Sequence, residues 1–248
     1  RDVTYEPVVT FSINASNAVT AVSENLKKRT YEHFDVTNEI HVIPNFIDLD
    51  RFKKQPKEHF KKAICPDDEK LIVHTSNFRK VKRVDQVLEV FKRIKAKIPA
   101  KLLLVGDGPE RPHIENLSRE LGISDSVRFL GKLDEVEEVL SVADLFLMPS
   151  EQESFGLAAL EAMACQVPVV STNAGGIPEL NEHGVTGYVV EIADVEAMST
   201  LSLAVLDDKN LAKFKKAALE QAKRFDQSII VPQYEALYQQ TIDTFNAK

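Results

Sequence analysis

Two glutamates raise the question of chemistry. In "SEQESFGLAALEAMACQVPVV" (150–170), Glu153 and Glu161 stand eight positions apart around the turn Phe155-Gly156. "DLFLMPS" before them reads as a buried strand ending at Ser150, and 156–165 as a helix. Were both glutamates helical, they would lie about 80° apart around the axis. With Glu153 in the loop, the pair can instead flank a ligand seated on the helix N-terminus. That end offers unpaired N–H groups and a partial positive charge, a natural seat for phosphate. Gly156 lets a ligand approach the backbone closely. Carboxylates repel an anion, so they would face neutral, hydroxyl-rich parts of the same molecule, a sugar on one side and a ribose on the other. A plainer reading needs no ligand: Glu153 complements the helix dipole and Glu161 is a solvated helix residue. On spacing alone the plainer reading stands first.

The loop "SNFRKVKRVD" shifts that balance. Arg79, Lys80, Lys82 and Arg83 cluster where the strand "KLIVHTSN" ends. Cations at the start of a helix oppose its dipole, so an anionic partner accounts for them better than solvation does. Set there, they could clamp a diphosphate.

Other candidates carry less. "GDGPER" (106–111) imitates half of a G-x-G-x-x-G dinucleotide fingerprint, but it follows the second strand of its domain and Arg111 stands in place of the third glycine. Gly106 and Gly108 read better as a tight turn, with Pro109 opening the next helix. "DLD" (48–50) lacks a third oxygen ligand nearby and reads as structural. His74 on a strand and His183 in a loop have no partner at metal-ligand spacing. Cys65 and Cys165 show no CxxC pattern and read as small buried hydrophobes in a reducing cytosol.

The elements that must position these residues alternate regularly from Lys70. The strand "KLIVHTSN" leads to a helix with apolar Val84, Val87, Leu88, Phe91, Ile94 and Ile98. Then come "AKLLLVGDG" (strand), 110–121 (helix), "SVRFLG" (strand), 134–142 (helix), "DLFLMPS", 156–165, "VPVVST", a short helix near 177 and "TGYVVEI". Helices fill 194–224 and 227–245. Strands alternating with helices predict an α/β fold with a doubly wound parallel, Rossmann-like sheet. Ligands of such sheets bind at the carboxyl ends of the strands, which singles out loops 76–83, 106–110 and 150–157. The polar, Lys-rich stretch after "IHVIPNFIDLDRF" up to about Glu69 reads as a linker. The start is different: "AVTAVS" (18–23) is a short strand, with Ser23 as N-cap of the helix after it. One strand between two helices cannot cover both its faces, so the rest of its sheet is expected outside this chain.

Composition narrows the function. The 248 residues suit one large domain or two small ones, and 44% hydrophobic content is ordinary for a globular protein. A formal charge of −7 gives no electrostatic footprint for nucleic acid. No apolar run approaches the ~20 residues of a membrane span. A cytoplasmic location is the expectation.

With these residues on the page, the chain resembles the retaining, nucleotide-sugar-dependent glycosyltransferases of the GT-B fold, the group 1 family with an E-x7-E motif. The resemblance is carried by "VTAVSENL", "IHVIPNFID", "LLLVGDGPE", "VRFLG", "ADLFLMPSEQESFGLAALEAMACQVPVVST" and "GGIPELNEHGVTGYVV", which together span nearly the whole chain. "SNFRKVKRVD" is similar, more narrowly, to the branch that couples N-acetylglucosamine to L-malate in bacillithiol biosynthesis.

The resemblance implies roles. Glu153 would hold hydroxyls of the donor sugar and Glu161 the ribose hydroxyls. The backbone at Phe155 and Gly156 would touch the sugar, and at Leu157 and Ala158 the diphosphate. Lys82 matches the family's diphosphate lysine. Where the family has an arginine five positions earlier this chain has Asn77, and Arg79 is the candidate replacement. The base would meet the backbone from Leu130 to Lys132. The implied donor is UDP-N-acetylglucosamine and the implied acceptor a small hydroxy acid such as malate, with no further cofactor, no metal requirement and a homo-oligomer conceivable. Residues 1–40 would be the tail of an amino-terminal acceptor domain, 41–226 the nucleotide-sugar domain, and 227–248 a helix returning to the amino-terminal domain. Two other readings stay open: a UDP-sugar-binding module without turnover, and an NAD-dependent oxidoreductase.

Overall fold

Short runs of branched and aromatic residues become strands here, and the apolar stripes between them become covering helices. The computed structural model describes residues 5–247. Residues 1–4 of the segment 1–40, and residue 248 of the last segment, lie outside the described residues. In chain order the elements are α1 (Glu6–Asn14), β1 (Val19–Ala21), α2 (Glu24–His33), β2 (Ile40–Val42), α3 (Glu58–Ile64), β3 (Lys70–Thr75), α4 (Val84–Lys95), β4 (Ala100–Val105), α5 (Arg111–Glu120) and β5 (Val127–Gly131). They continue with α6 (Val136–Leu140), β6 (Leu145–Met148), α7 (Leu157–Ala164), β7 (Val169–Thr172), α8 (Ile177–Leu180), β8 (Gly187–Val190), α9 (Val195–Leu206), α10 (Asp208–Lys223) and α11 (Gln227–Asn246).

Six strands form one parallel sheet in the order β5-β4-β3-β6-β7-β8. The chain builds outward from β3 to β5, then crosses to the other side of β3 and continues through β6 to β8. The order therefore reverses between β3 and β6, the place where such sheets open a crevice at their carboxyl ends. Both faces are covered. Leu71 and Val73 of β3 join α6 and α7 in one apolar layer, while Ile72 joins α4 and α9 in the other. That alternation is the period of two of a strand. The α4 stripe buries Val84, Val87, Leu88, Val90, Phe91 and Ile94, and full burial of such a side chain contributes roughly 1.5–3 kcal/mol.

The structure corrects the reading of the sequence at three places. The strand expected to be alone has a partner: β1 pairs in parallel with β2, Val19 opposite Ile40 and Ala21 opposite Val42. The stretch read as a linker contains α3, held because Ile64 and Cys65 are buried in the core and Phe60 packs against it. The span 194–224 is two helices, because Asp207 leaves the helical conformation (φ −60°, ψ 126°) and its carboxylate accepts from the Lys209 N–H at 2.9 Å to start α10. Ser23 caps α2 as expected, its Oγ accepting from the Leu26 N–H at 3.1 Å.

At the opposite, amino-terminal rim of the sheet, the buried Asp144 accepts from Lys61 (2.6 Å), Lys215 (2.8 Å) and the Leu71 N–H (3.0 Å). Burial alone would raise its carboxyl pKa, but Lys215 and Lys61 outweigh that and hold it below the usual range. Lys215 is shifted down as well, since burial there outweighs the one carboxylate that it shares with Lys61. Both shifts describe two cations on a single anion.

Candidate functional site

The crevice between β3 and β6 is built from the two loops that leave those strands. The first runs from Ser76 to Arg83 and ends in a short 3₁₀ turn at Lys80–Lys82. The second runs from Ser150 to Gly156 and delivers α7. They are joined directly: the Glu151 N–H donates to the Val81 carbonyl at 2.8 Å. Above that bond the Lys82 ammonium is paired with the Glu153 carboxylate, both largely buried. Glu153 thus lies in the loop, before the helix.

At the start of α7, Gly156 takes a left-handed conformation (φ 101°, ψ 50°) and no side chain caps the helix. A Cβ there would sit 2.4 Å from Cδ1 of Ile177, so the turn is closed to larger residues as well as strained for them. The N–H groups of Leu157 and Ala158 have no acceptor among the described residues. Phe155 is buried, its ring edge-on to Phe225 at 5.4 Å, so only its backbone remains for a ligand. Leu157 is exposed and Ala158 half-buried.

One turn along α7, Glu161 is half-buried and its carboxylate makes neither hydrogen bond nor ion pair among the described residues. Burial pushes its carboxyl up to about 7; Arg51 opposes the rise and Glu137 adds to it. Arg51 itself is held by Glu137 at 3.1 Å and by the Asp134 carbonyl at 2.7 Å. Reading the sequence missed Arg51. Its signal was present in "DLDRF": Asp48 Oδ1 accepts from the N–H groups of Asp50 (2.8 Å) and Arg51 (3.2 Å), a local turn that fixes the backbone from which the exposed arginine reaches Glu137.

The four cations of the first loop divide. Lys82 faces Glu153. Arg83 turns away, binding Asp85 through Nε and Nη2 (2.9 Å) and Glu151 through Nη1 (2.7 Å). Arg79 and Lys80 are exposed, their side chains with neither hydrogen bond nor ion pair among the described residues. Asn77 is exposed, and its main-chain carbonyl oxygen lies 2.1 Å from where a Cβ on Gly108 would stand. A Cβ on Gly106 would meet the Ser76 carbonyl at 1.8 Å. The glycines of "GDGPER" therefore let their loop pack under the 76–78 backbone, a structural need that explains them without a dinucleotide. Leu130, next to last in β5, is half-buried against the core and Lys132 is exposed just past the strand. His74 is buried between the Leu147 carbonyl and Ser76 Oγ, both at 2.8 Å, and burial lowers its pKa to about 4.

Glu153 also borders a cavity of about 410 Å³ between α2 and residues 152–154, lined by Asn25, Arg29 and His33. The two sides are tied together there. Ser23 Oγ donates to the Ser154 carbonyl at 2.6 Å, and the Glu24 and Asn25 N–H groups donate to the Glu179 carboxylate at 2.9 and 2.8 Å.

The family model described as "Glycosyl transferases group 1" matches residues 55–224, and that of "Glycosyltransferase Family 4" matches residues 2–51. The chain is 43% identical to N-acetyl-alpha-D-glucosaminyl L-malate synthase of Bacillus anthracis over 93% of its own length and 61% of that protein. Among solved structures, sucrose-phosphate synthase from Thermosynechococcus elongatus superposes with a TM-score of 0.89 at 26% identity, over 100% of this chain and 63% of that one. A mutant of S. aureus TarM, crystallised with Fondaparinux, alpha-GlcNAc-glycerol and UDP, superposes with a TM-score of 0.81 at 25% identity, over 95% and 46%. The chain spans about half to three-fifths of the length of the curated relatives it matches.

Proposed function

The chain belongs to the group 1 glycosyl transferases, and from that premise we propose that it is the nucleotide-sugar half of an enzyme that moves N-acetylglucosamine from UDP to L-malate with retention. One observation carries the reading: a lysine and a carboxylate, Lys82 and Glu153, meet beside an uncapped helix N-terminus where the strand order of the sheet reverses. Identity to N-acetyl-alpha-D-glucosaminyl L-malate synthase supports the choice of donor and acceptor.

In this proposal the UDP diphosphate sits on the Leu157 and Ala158 N–H groups, with Lys82 beside it. Glu153 takes hydroxyls of the sugar, and Glu161 takes those of the ribose. The base rests against Leu130 to Lys132. The malate hydroxyl attacks the anomeric carbon from the face that the diphosphate leaves. The bond from that carbon to the diphosphate oxygen breaks, a bond to the acceptor oxygen forms, and the acceptor proton goes to the departing diphosphate. Lys82 and the helix N-terminus stabilise the charge that grows on the leaving group, so catalysis is chiefly electrostatic. Arg79, exposed on the same loop, supplies further positive charge. The two cysteines are free and buried, which suits the cytoplasm.

A second reading, a donor-binding module without turnover, is favoured by the chain spanning 61% of N-acetyl-alpha-D-glucosaminyl L-malate synthase. Titration calorimetry of the 248-residue chain with UDP, UDP-N-acetylglucosamine and NADH, alongside product analysis with malate, separates the readings. Transfer needs both reactants held at near-attack distance. We expect the chain to bind UDP and the UDP-sugar, to ignore NADH, and to form glycosyl malate only when extended to the length of its relatives. Robust transfer by this chain alone would place the acceptor site within it.

A further inference from the structure

Arg83 stands out among the site's cations because it occupies a left-handed backbone conformation (φ 48°, ψ 47°), which a side chain other than glycine rarely adopts. Something must hold it there, and its guanidinium is held at three points. Nε donates to Asp85 Oδ1 at 3.1 Å, Nη2 to Asp85 Oδ2 at 2.9 Å, and Nη1 to Glu151 Oε1 at 2.7 Å. Asp85 lies in the first turn of α4, and Glu151 lies in the loop after β6. One side chain thus bolts the β3 loop to both α4 and the β6 loop. It works in parallel with the Glu151 N–H bond to the Val81 carbonyl. The two residues whose side chains meet in the crevice are its near neighbours: Lys82 precedes Arg83, and Glu153 follows Glu151 by two. A planar fork can serve two carboxylates at once, whereas an ammonium is a single point charge.

We propose that Arg83 is a positioning residue. By bridging Asp85 and Glu151 it sets the separation of Lys82 and Glu153, and hence the geometry in which a nucleoside diphosphate is gripped. The inference rests on the donor-site reading given above. Arg83 touches no ligand; it acts through the loops that carry Lys82 and Glu153.

The test uses the 248-residue chain and two probes, UDP and uridine, by titration calorimetry, with melting temperature recorded for every variant. Arg83→Gly is the informative substitution, since glycine keeps the left-handed backbone without strain. It should weaken UDP about tenfold, a loss of ~1.4 kcal/mol, and leave uridine binding unchanged, because only the diphosphate grip is loosened. Glu151→Gln should lose a similar factor. The double variant should lose about the same tenfold rather than a hundredfold, because the two residues act as one link. Arg83→Lys should recover only part of the loss. Equal weakening of UDP and uridine, or a lowered melting temperature with UDP affinity intact, would show that Arg83 serves the fold alone and overturn the proposal. If the unaltered chain binds no UDP, the donor-site reading falls and takes this proposal with it. If it binds UDP and Arg83→Gly binds equally, the positioning role alone falls.

Discussion

Lys82 and Glu153, 71 residues apart in sequence, form an ion pair across the gap where the sheet reverses its strand order. The pair is at once a restraint and a reserve. It neutralises two partly buried charges in the ligand-free protein, and a diphosphate brings the lysine a second anionic partner.

That arrangement predicts a split between binding and turnover at Lys82. A donor aimed at charge that develops in the transition state affects turnover more than ground-state affinity. In an enzyme of the relatives' length, Lys82→Ala should lower kcat by about 10²–10³, by analogy with deleting an oxyanion donor. Steady-state kinetics check it. A loss confined to KM would reduce Lys82 to an anchor.

Glu161 predicts a trade between binding and stability. Its carboxyl has no polar partner among the described residues and is pushed up to about 7 by burial. A carboxyl raised in the folded state favours folding most below its unfolded value, near 4.5. That contribution is lost as pH rises through about 7. Glu161→Gln should therefore melt higher than the unaltered chain at pH 8 and nearly level with it at pH 5. Thermal melts at the two pH values decide this.

The same residue should matter to ligand. Glu161→Ala should weaken UDP by ~1.5–3 kcal/mol, the worth of hydrogen bonds to a charged acceptor, with a native circular dichroism spectrum. Unchanged affinity would return Glu161 to the role of a bystander on α7.

Gly108 predicts a structural failure. A Cβ there would meet the Asn77 carbonyl at 2.1 Å, and backbone cannot rotate aside as a side chain can. Gly108→Ala should cost ~1–3 kcal/mol of stability through overpacking and should displace the loop carrying Lys82. Denaturant melts would measure the first effect and UDP titration the second.

Asp144 predicts an acid-side loss at the far rim. Asp144→Asn leaves Lys61 and Lys215 without their anion. With Lys61 34% exposed, the cost should fall near the low end of the ~3–5 kcal/mol for breaking a buried pair. Because the native carboxyl is held below its usual value, its contribution is present above about 3.8 and fades as pH falls through the lower, folded value. The gap in melting temperature between variant and parent should close in strong acid.

The sequence by itself determined the parallel α/β sheet, the loops at the carboxyl ends of its strands and the placing of Glu153 before α7. Each of these depends on local periodicity, on chain order or on a glycine at a turn. Tertiary structure decided the rest. It gave β1 its partner, because pairing of Val19 with Ile40 is a contact across 21 residues that no local pattern announces. It made a helix of Glu58–Ile64, whose apolar face is worth little until a core receives Ile64. It sorted four adjacent cations into one that faces a carboxylate, one that bridges two loops and two that face water, since direction is set by backbone angles such as the left-handed turn at Arg83. It also raised Glu161, because burial comes from every element packed around α7, and the spacing of two glutamates cannot contain it.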